Sequence, residues 1–411
     1  MSSHDYIKGV MKKFMLVWCS VSNLISMSQN SWFQKTDFLG LSTFSTGYFV
    51  IGSRVYLGTG YDSTGLPIND FWMWDQSTDT WTQKANFLGG SRYGVASFSV
   101  SDKGYFCSGE DTGGFKKDLW EYDTTGNTWT QRTDLPGPSR RLAVGFTIGN
   151  KGYVGSGEGI SFWSDFYEYD PAGDSWTFIG NLPGGGRAAA TSFVIGTSAY
   201  IVAGFDGTNC IQTVYRYNSI NNSWQQRSNF IGAARFGPCS FSIGRFGYVG
   251  TGQLCNTALM NDFWVYDTLT NAWSVRASLP SNTRYGSAGF SIGNKGYICV
   301  GSSSFSSIQY YDLWEYTPDT LFSTPELLES PWVSAYPNPC TDFTKITFYN
   351  PNRRRYSLTL FNSAGNEIIK IQNLSDETIL LPRQNLPSGV YIFLIKGIDN
   401  SLFSSGKLIF Q

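Results

Sequence analysis

Six tryptophans, at positions 32, 81, 129, 176, 224 and 273, recur at steps of 49, 48, 47, 48 and 49 residues. A fixed period of this size marks an architecture of stacked units, each burying its flat faces against its neighbours. Three further markers keep the same phase. A Tyr followed by glycines appears as VYLGTG (55–60), GYFCSG (104–109), GYVGSG (152–157), AYIVAG (199–204), GYVGTG (247–252) and GYICVG (296–301). An Asp-x-aromatic triplet starts at Asp70, Asp118, Asp165, Asp262 and Asp312, with Thr213-Val214-Tyr215 in the fourth copy. An Arg stands at 92, 140, 187, 235 and 284, with none at the matching place of the first copy.

Each unit holds about four short apolar runs divided by Gly, Asn, Asp and Pro, which predicts four short strands joined by tight turns. Aromatic residues form 17% of the chain and glycines number 45, which suits such sheets. The order Arg, Gly-Tyr-x-x-x-Gly, Asp-x-Trp-x-Tyr, Trp resembles the kelch repeat family over roughly residues 30 to 318. That resemblance implies an all-β fold, a six-bladed β-propeller, and no particular activity. The last unit ends at Trp314-Glu315-Tyr316 without a following Trp strand, and the stretch Asn30 to Asp37 has no unit before it. This predicts that the N-terminal strand 30–37 completes the last blade.

The flanks read differently. Lys12 and Lys13 precede an apolar run from Phe14, and Ser26 and Ser28 are spaced as a cleavage site requires. Residues 1–28 are therefore read as a signal peptide, with Met11 an alternative start and Gln29 the first mature residue. The propeller is assigned to 29–318, a linker to 319–331, and a small β-sandwich to 332–411. Within the last segment, Pro337-Asn338-Pro339, the turn ending at Gly365, Gly389-Val390-Tyr391 and a final Lys407-Leu408-Ile409 resemble the type A sorting domain of the Bacteroidetes type IX secretion system. The resemblance implies that type IX secretion machinery is a partner and that the chain passes through the periplasm to be released or held at the cell surface.

The chemistry left open is narrow. A net charge of -1 from 30 basic and 31 acidic residues lacks the basic stripe that nucleic acid demands. The only histidine, His4, lies in the leader, so the mature chain has no His for general base work or metal ligation. No cofactor, metal or transmembrane span is expected. Arg92, Arg140, Arg187, Arg235 and Arg284 begin innermost strands, on the same face as variable loops carrying Tyr61, Phe115, Trp163 and Phe205. Together they are candidates for binding a glycan or a protein segment. The same arginines also suit pairing with a neighbouring blade's carboxylates or carbonyls. Glu110 and Glu158 recur as well, but their places in different blades do not imply a close pair, and no catalytic residue is assigned. An extracellular carbohydrate-active enzyme using carboxylates and Tyr is the alternative to a binding module. Cys210 and Cys255 lie in equivalent loops of consecutive units and are the disulfide candidate, while Cys107 and Cys299 are read as buried thiols.

Overall fold

The computed structural model describes residues 30–41, 43–303, 309–318, 333–348, 350, 355–362, 367–383, 386–397 and 402–411. The leader assigned to 1–28 and Gly365 lie outside them. Among the described residues every regular element is a β-strand. The chain divides into two compact units, residues 1–318 and 319–411.

The first unit is built of four-stranded antiparallel sheets in chain order. Sheet 1 spans 47–83, sheet 2 96–132, sheet 3 144–181, sheet 4 191–227 and sheet 5 239–276. Sheet 6 takes three strands from 288–317 and its fourth, Ser31–Gln34, from the start of the chain, with Trp32 opposite Tyr316. The innermost strands are Gly47–Ile51, Ala96–Val100, Val144–Ile148, Thr191–Ile195, Cys239–Ile243 and Ala288–Ile292. Each touches the next, and the last touches the first.

Two closed circuits of backbone hydrogen bonds run around this ring. In one, the N–H of Gly94 donates to Ser45 C=O, Leu142 to Gly94, Ala189 to Leu142, Gly237 to Ala189, Gly286 to Gly237, and Ser45 back to Gly286, at 2.7–3.0 Å. In the other, Gly60, Gly109, Gly157, Gly204, Gly252 and Gly301 donate to the carbonyls of Arg92, Arg140, Arg187, Arg235, Arg284 and Thr43. Gly60 shows why the last residue of the Tyr-Gly marker has no side chain. Its φ is +110°, and a Cβ there would lie 1.9 Å from Thr43 Oγ1.

Further out, the sheets are stapled by the periodic tryptophans. The indoles of Trp32, Trp81, Trp129, Trp176 and Trp273 donate to the carbonyls of Ala277, Thr36, Ala85, Thr133 and Ser228, each in the loop leaving the preceding sheet. Trp81, Trp129 and Trp273 are buried in the core, and Trp32 and Trp176 pack partly buried against it. Aromatic rings meet between the faces, as where Tyr105 of sheet 2 and Tyr169 of sheet 3 have ring centres 5.6 Å apart.

The second unit holds a three-stranded and a four-stranded antiparallel sheet around one apolar core that includes Ile346, Phe348, Leu358, Leu360, Phe393 and Leu408. Asn338, between Pro337 and Pro339, locks onto the final strand: its Nδ2 donates to Lys407 C=O at 2.7 Å and its Oδ1 accepts from Ile409 N–H at 2.9 Å. Downstream of Gly389 and the exposed Val390, Tyr391 is buried and its hydroxyl donates to Pro387 C=O.

Candidate functional site

The repeated arginines lie inside the first unit. Arg140, Arg187, Arg235 and Arg284 are 0% exposed and Arg92 is 2%. Four of them meet the Asp of the Asp-x-aromatic triplet in their own sheet: Arg92–Asp118 at 2.6 Å, Arg140–Asp165 at 2.7 Å, Arg235–Asp262 at 2.5 Å and Arg284–Asp312 at 2.5 Å. The Nη1 of each of the five also donates to a carbonyl 16 residues on, of Ser108, Ser156, Ala203, Thr251 or Val300. These acceptors sit at φ between 56 and 66°, a conformation costly for a non-glycine residue. The guanidinium holds that strained corner in place. The sequence reading of these arginines as lining the ligand funnel is therefore corrected: all five are buried, and Arg92, Arg140, Arg235 and Arg284 are held by carboxylates of their own sheet, not of a neighbour, while Arg187 meets only carbonyls.

Strand alternation sends the residue after each arginine the opposite way, toward the ring axis. Those residues are Tyr93, Arg141, Ala188, Phe236 and Tyr285, with Phe44 at the matching place of sheet 1. Each pairs through a β-bridge or short ladder with the residue following the marker glycine: Tyr61, Glu110, Glu158, Phe205, Gln253 and Ser302. A cavity of about 380 Å³ opens here, lined by residues of sheets 1 to 4 and of the segments leading into sheets 5 and 6. That volume suits a small ligand, for which roughly 300–1,000 Å³ is usual.

The aromatic residues of the lining are Tyr48, Tyr93, Phe205, Phe236 and Tyr285, and Phe44 and Tyr61 join four of them. Rings meet in an unbroken arc: Tyr93–Tyr61 at 4.0 Å between centres, Tyr61–Phe44 at 5.7 Å, Phe44–Tyr285 at 5.5 Å, Tyr285–Phe236 at 6.1 Å and Phe236–Phe205 at 6.0 Å. The remaining sector is charged. Arg141 Nη1 lies 2.5 Å from Glu110 and Nη2 lies 2.6 Å from Glu158. The Tyr93 hydroxyl donates to Glu110 as well. Burial, with the charges of Glu158 and Asp111 close by, pushes the Glu110 carboxyl above its ordinary range. The two acids thus converge on one guanidinium although they belong to different sheets.

Of the aromatic candidates, Phe205 lines the cavity and Tyr61 belongs to the arc. Phe115 lies under Arg141, 5.7 Å from ring centre to Cζ. Trp163, like Tyr61 and Phe115, is not among the residues lining the cavity; its indole packs against the loop at Gly159. Tyr93, Arg141, Phe236, Tyr285 and Phe44 were missed, although the rule is simple: step one residue past each repeated arginine, or past Thr43, which stands in its place in the first copy. Cys210 and Cys255 form a disulfide with Cα atoms 5.7 Å apart, tying the loop of sheet 4 to that of sheet 5. Cys107, Cys239 and Cys299 are buried thiols. Among the described residues no group of three or more His, Cys, Asp and Glu is arranged to hold a metal ion. Among them also, no helix is long and apolar enough to cross a membrane.

Comparison with known proteins agrees with this architecture. Residues 186–230 match the Kelch motif, and residues 334–411 match the secretion system C-terminal sorting domain. The solved structure of YjhT, a kelch-type propeller, superposes with a TM-score of 0.60 at 16% identity, covering 69% of this chain and 97% of its own. No curated protein sequence matches the chain significantly. The chain is an all-β protein that joins a kelch propeller to a sorting domain. The sorting domain directs it through the type IX secretion system, to be secreted or held at the cell surface.

Proposed function

We propose that the first unit is a six-bladed propeller, the second a β-sandwich, and that the exported propeller binds a neutral sugar at the end of a glycan in the funnel over its axis. The observation that carries this reading is that one small-ligand cavity is lined by Tyr93, Phe205, Phe236 and Tyr285 together with the charged pair Arg141 and Glu158. Aromatic faces accept the C–H face of a pyranose, and carboxylates and a guanidinium take its hydroxyls. Arg141 is already met by two carboxylates, which favours hydroxyls over a sugar acid or a peptide carboxylate as the ligand.

A second reading rests on Glu110. It accepts from Tyr93 and Arg141, which line the cavity, and a carboxyl raised by burial beside another acid is suited to proton transfer, so an enzyme acting on the same sugar is the alternative. Glycan and peptide arrays with the full chain test the first reading. Binding to neutral sugars, weakened on the order of tenfold (~1.4 kcal/mol) by Phe236→Ala, is expected. Silence on glycans with retention on peptides would overturn it. Proton NMR of any bound sugar decides the second: anomer exchange or bond cleavage that disappears in Glu110→Gln would establish catalysis.

A further inference from the structure

Arg187 breaks the pattern of its siblings. Where four arginines face an Asp carboxylate, the fourth sheet has Thr213. Arg187 is fully buried, yet its Nη1 reaches only carbonyls, Ala203 at 3.2 Å and Thr213 at 3.5 Å. Among the described residues its Nε and Nη2 have no hydrogen-bond partner, and neither has Thr213 Oγ1. In the sibling sheets Nη2 donates to the Asp: Arg140 to Asp165 at 2.7 Å and Arg235 to Asp262 at 2.8 Å.

The surroundings are tight and fixed. Gly184 roofs the guanidinium so closely that a Cβ there would lie 2.5 Å from both Nη2 and the Tyr215 ring. The strand leading to Thr213 is held by Ile211 N–H on Gly204 C=O and by the Cys210–Cys255 disulfide. Burial pulls the Arg187 guanidinium down to about 10, which leaves it charged at neutral pH. A desolvated cation met only by carbonyls and the Tyr215 ring calls for a counter-charge.

We propose that Arg187 and Thr213 form a site for one small monovalent anion of halide size, which takes the place of the carboxylate present in the sibling sheets. The site is separate from the funnel and holds whichever sugar reading is correct. The probe is bromide. A crystal of the full chain soaked in bromide is expected to show an anomalous peak beside Arg187 Nη2 and Thr213 Oγ1. The wild-type melting temperature is expected to be higher in chloride than in gluconate at equal ionic strength. Thr213→Asp, which supplies the missing carboxylate, is expected to melt above wild type in gluconate and alike in both salts. Arg187→Met, needed if the first variant does not fold, is expected to lose both the peak and the salt difference. Absence of the bromide peak, or a salt difference that survives in either variant, would overturn the proposal.

Discussion

Arg140 and Arg141 are consecutive in the chain and opposite in use. Arg140 is 0% exposed and bonded to Asp165, Ser156 C=O and Pro138 C=O, all within the structure of its own sheet. Arg141 projects to the axis with its side chain 28% exposed and holds Glu110 and Glu158 where a ligand could reach them. Phe236 beside Arg235 is likewise partly exposed, whereas Tyr93, Ala188 and Tyr285 line the cavity while staying buried. The position that repeats builds the ring, and the position beside it, free to vary, builds the funnel. A repeat protein divides labour this way because one pleat direction faces the neighbouring strands and the other faces the axis.

The interior half of the contrast breaks most severely. Asp262→Ala leaves Arg235 buried without its partner and is expected to cost about 3–5 kcal/mol, read as a lower midpoint in denaturant. An Asp262→Ala variant as stable as wild type would remove the structural role given to the repeated arginines. Next comes the staple at the mouth. The Cys210–Cys255 bridge joins residues 45 apart, so the double Ser variant is expected to lose about 4 kcal/mol on the entropy model. Equal stability of the oxidised and reduced protein would contradict this.

Acid sharpens the comparison with a smaller effect. Burial alone would raise Asp312, but the bonds from Arg284 overcome it and hold the carboxyl below its usual value. Its contribution is present above the unfolded value of roughly 3.9 and is lost as pH falls through the lowered native one. Glu110 behaves oppositely. Its raised carboxyl favours the protonated form when folded, so its contribution weakens as pH rises through that range. An acid titration of stability should therefore flatten in Asp312→Asn. At neutral pH Glu110→Gln should be neutral or slightly stabilising, and a large loss there would mean Glu110 is structural.

The sheets were legible in the sequence because the ring repeats its chemistry: Trp, Tyr-Gly and Asp-x-aromatic recur wherever the same contact recurs. The site was legible only in outline. Arg92 and its equivalents announced themselves by recurring, and recurrence is the mark of a structural contact, so they drew attention away from Tyr93 and Tyr285 beside them. The convergence of Glu110 and Glu158 rests on Arg141, whose counterparts in other sheets are aromatic or Ala, and periodicity is blind to a residue that occurs once. Arg187 was visible as the copy lacking its Asp, but its unpaired nitrogens emerge only when burial is known.

The division of labour is tested most directly by two carboxylates, one on each neighbouring arginine: Asp165→Ala and Glu158→Gln, measured side by side for thermal unfolding and for sugar binding. The expected result is a crossing. Asp165→Ala unfolds well below wild type and, while folded, binds as wild type does. Glu158→Gln stays within about 1 kcal/mol of wild type, as a partly exposed pair allows, and loses binding. Glu158→Gln unfolding as early as Asp165→Ala, or binding as well as wild type, would contradict the account.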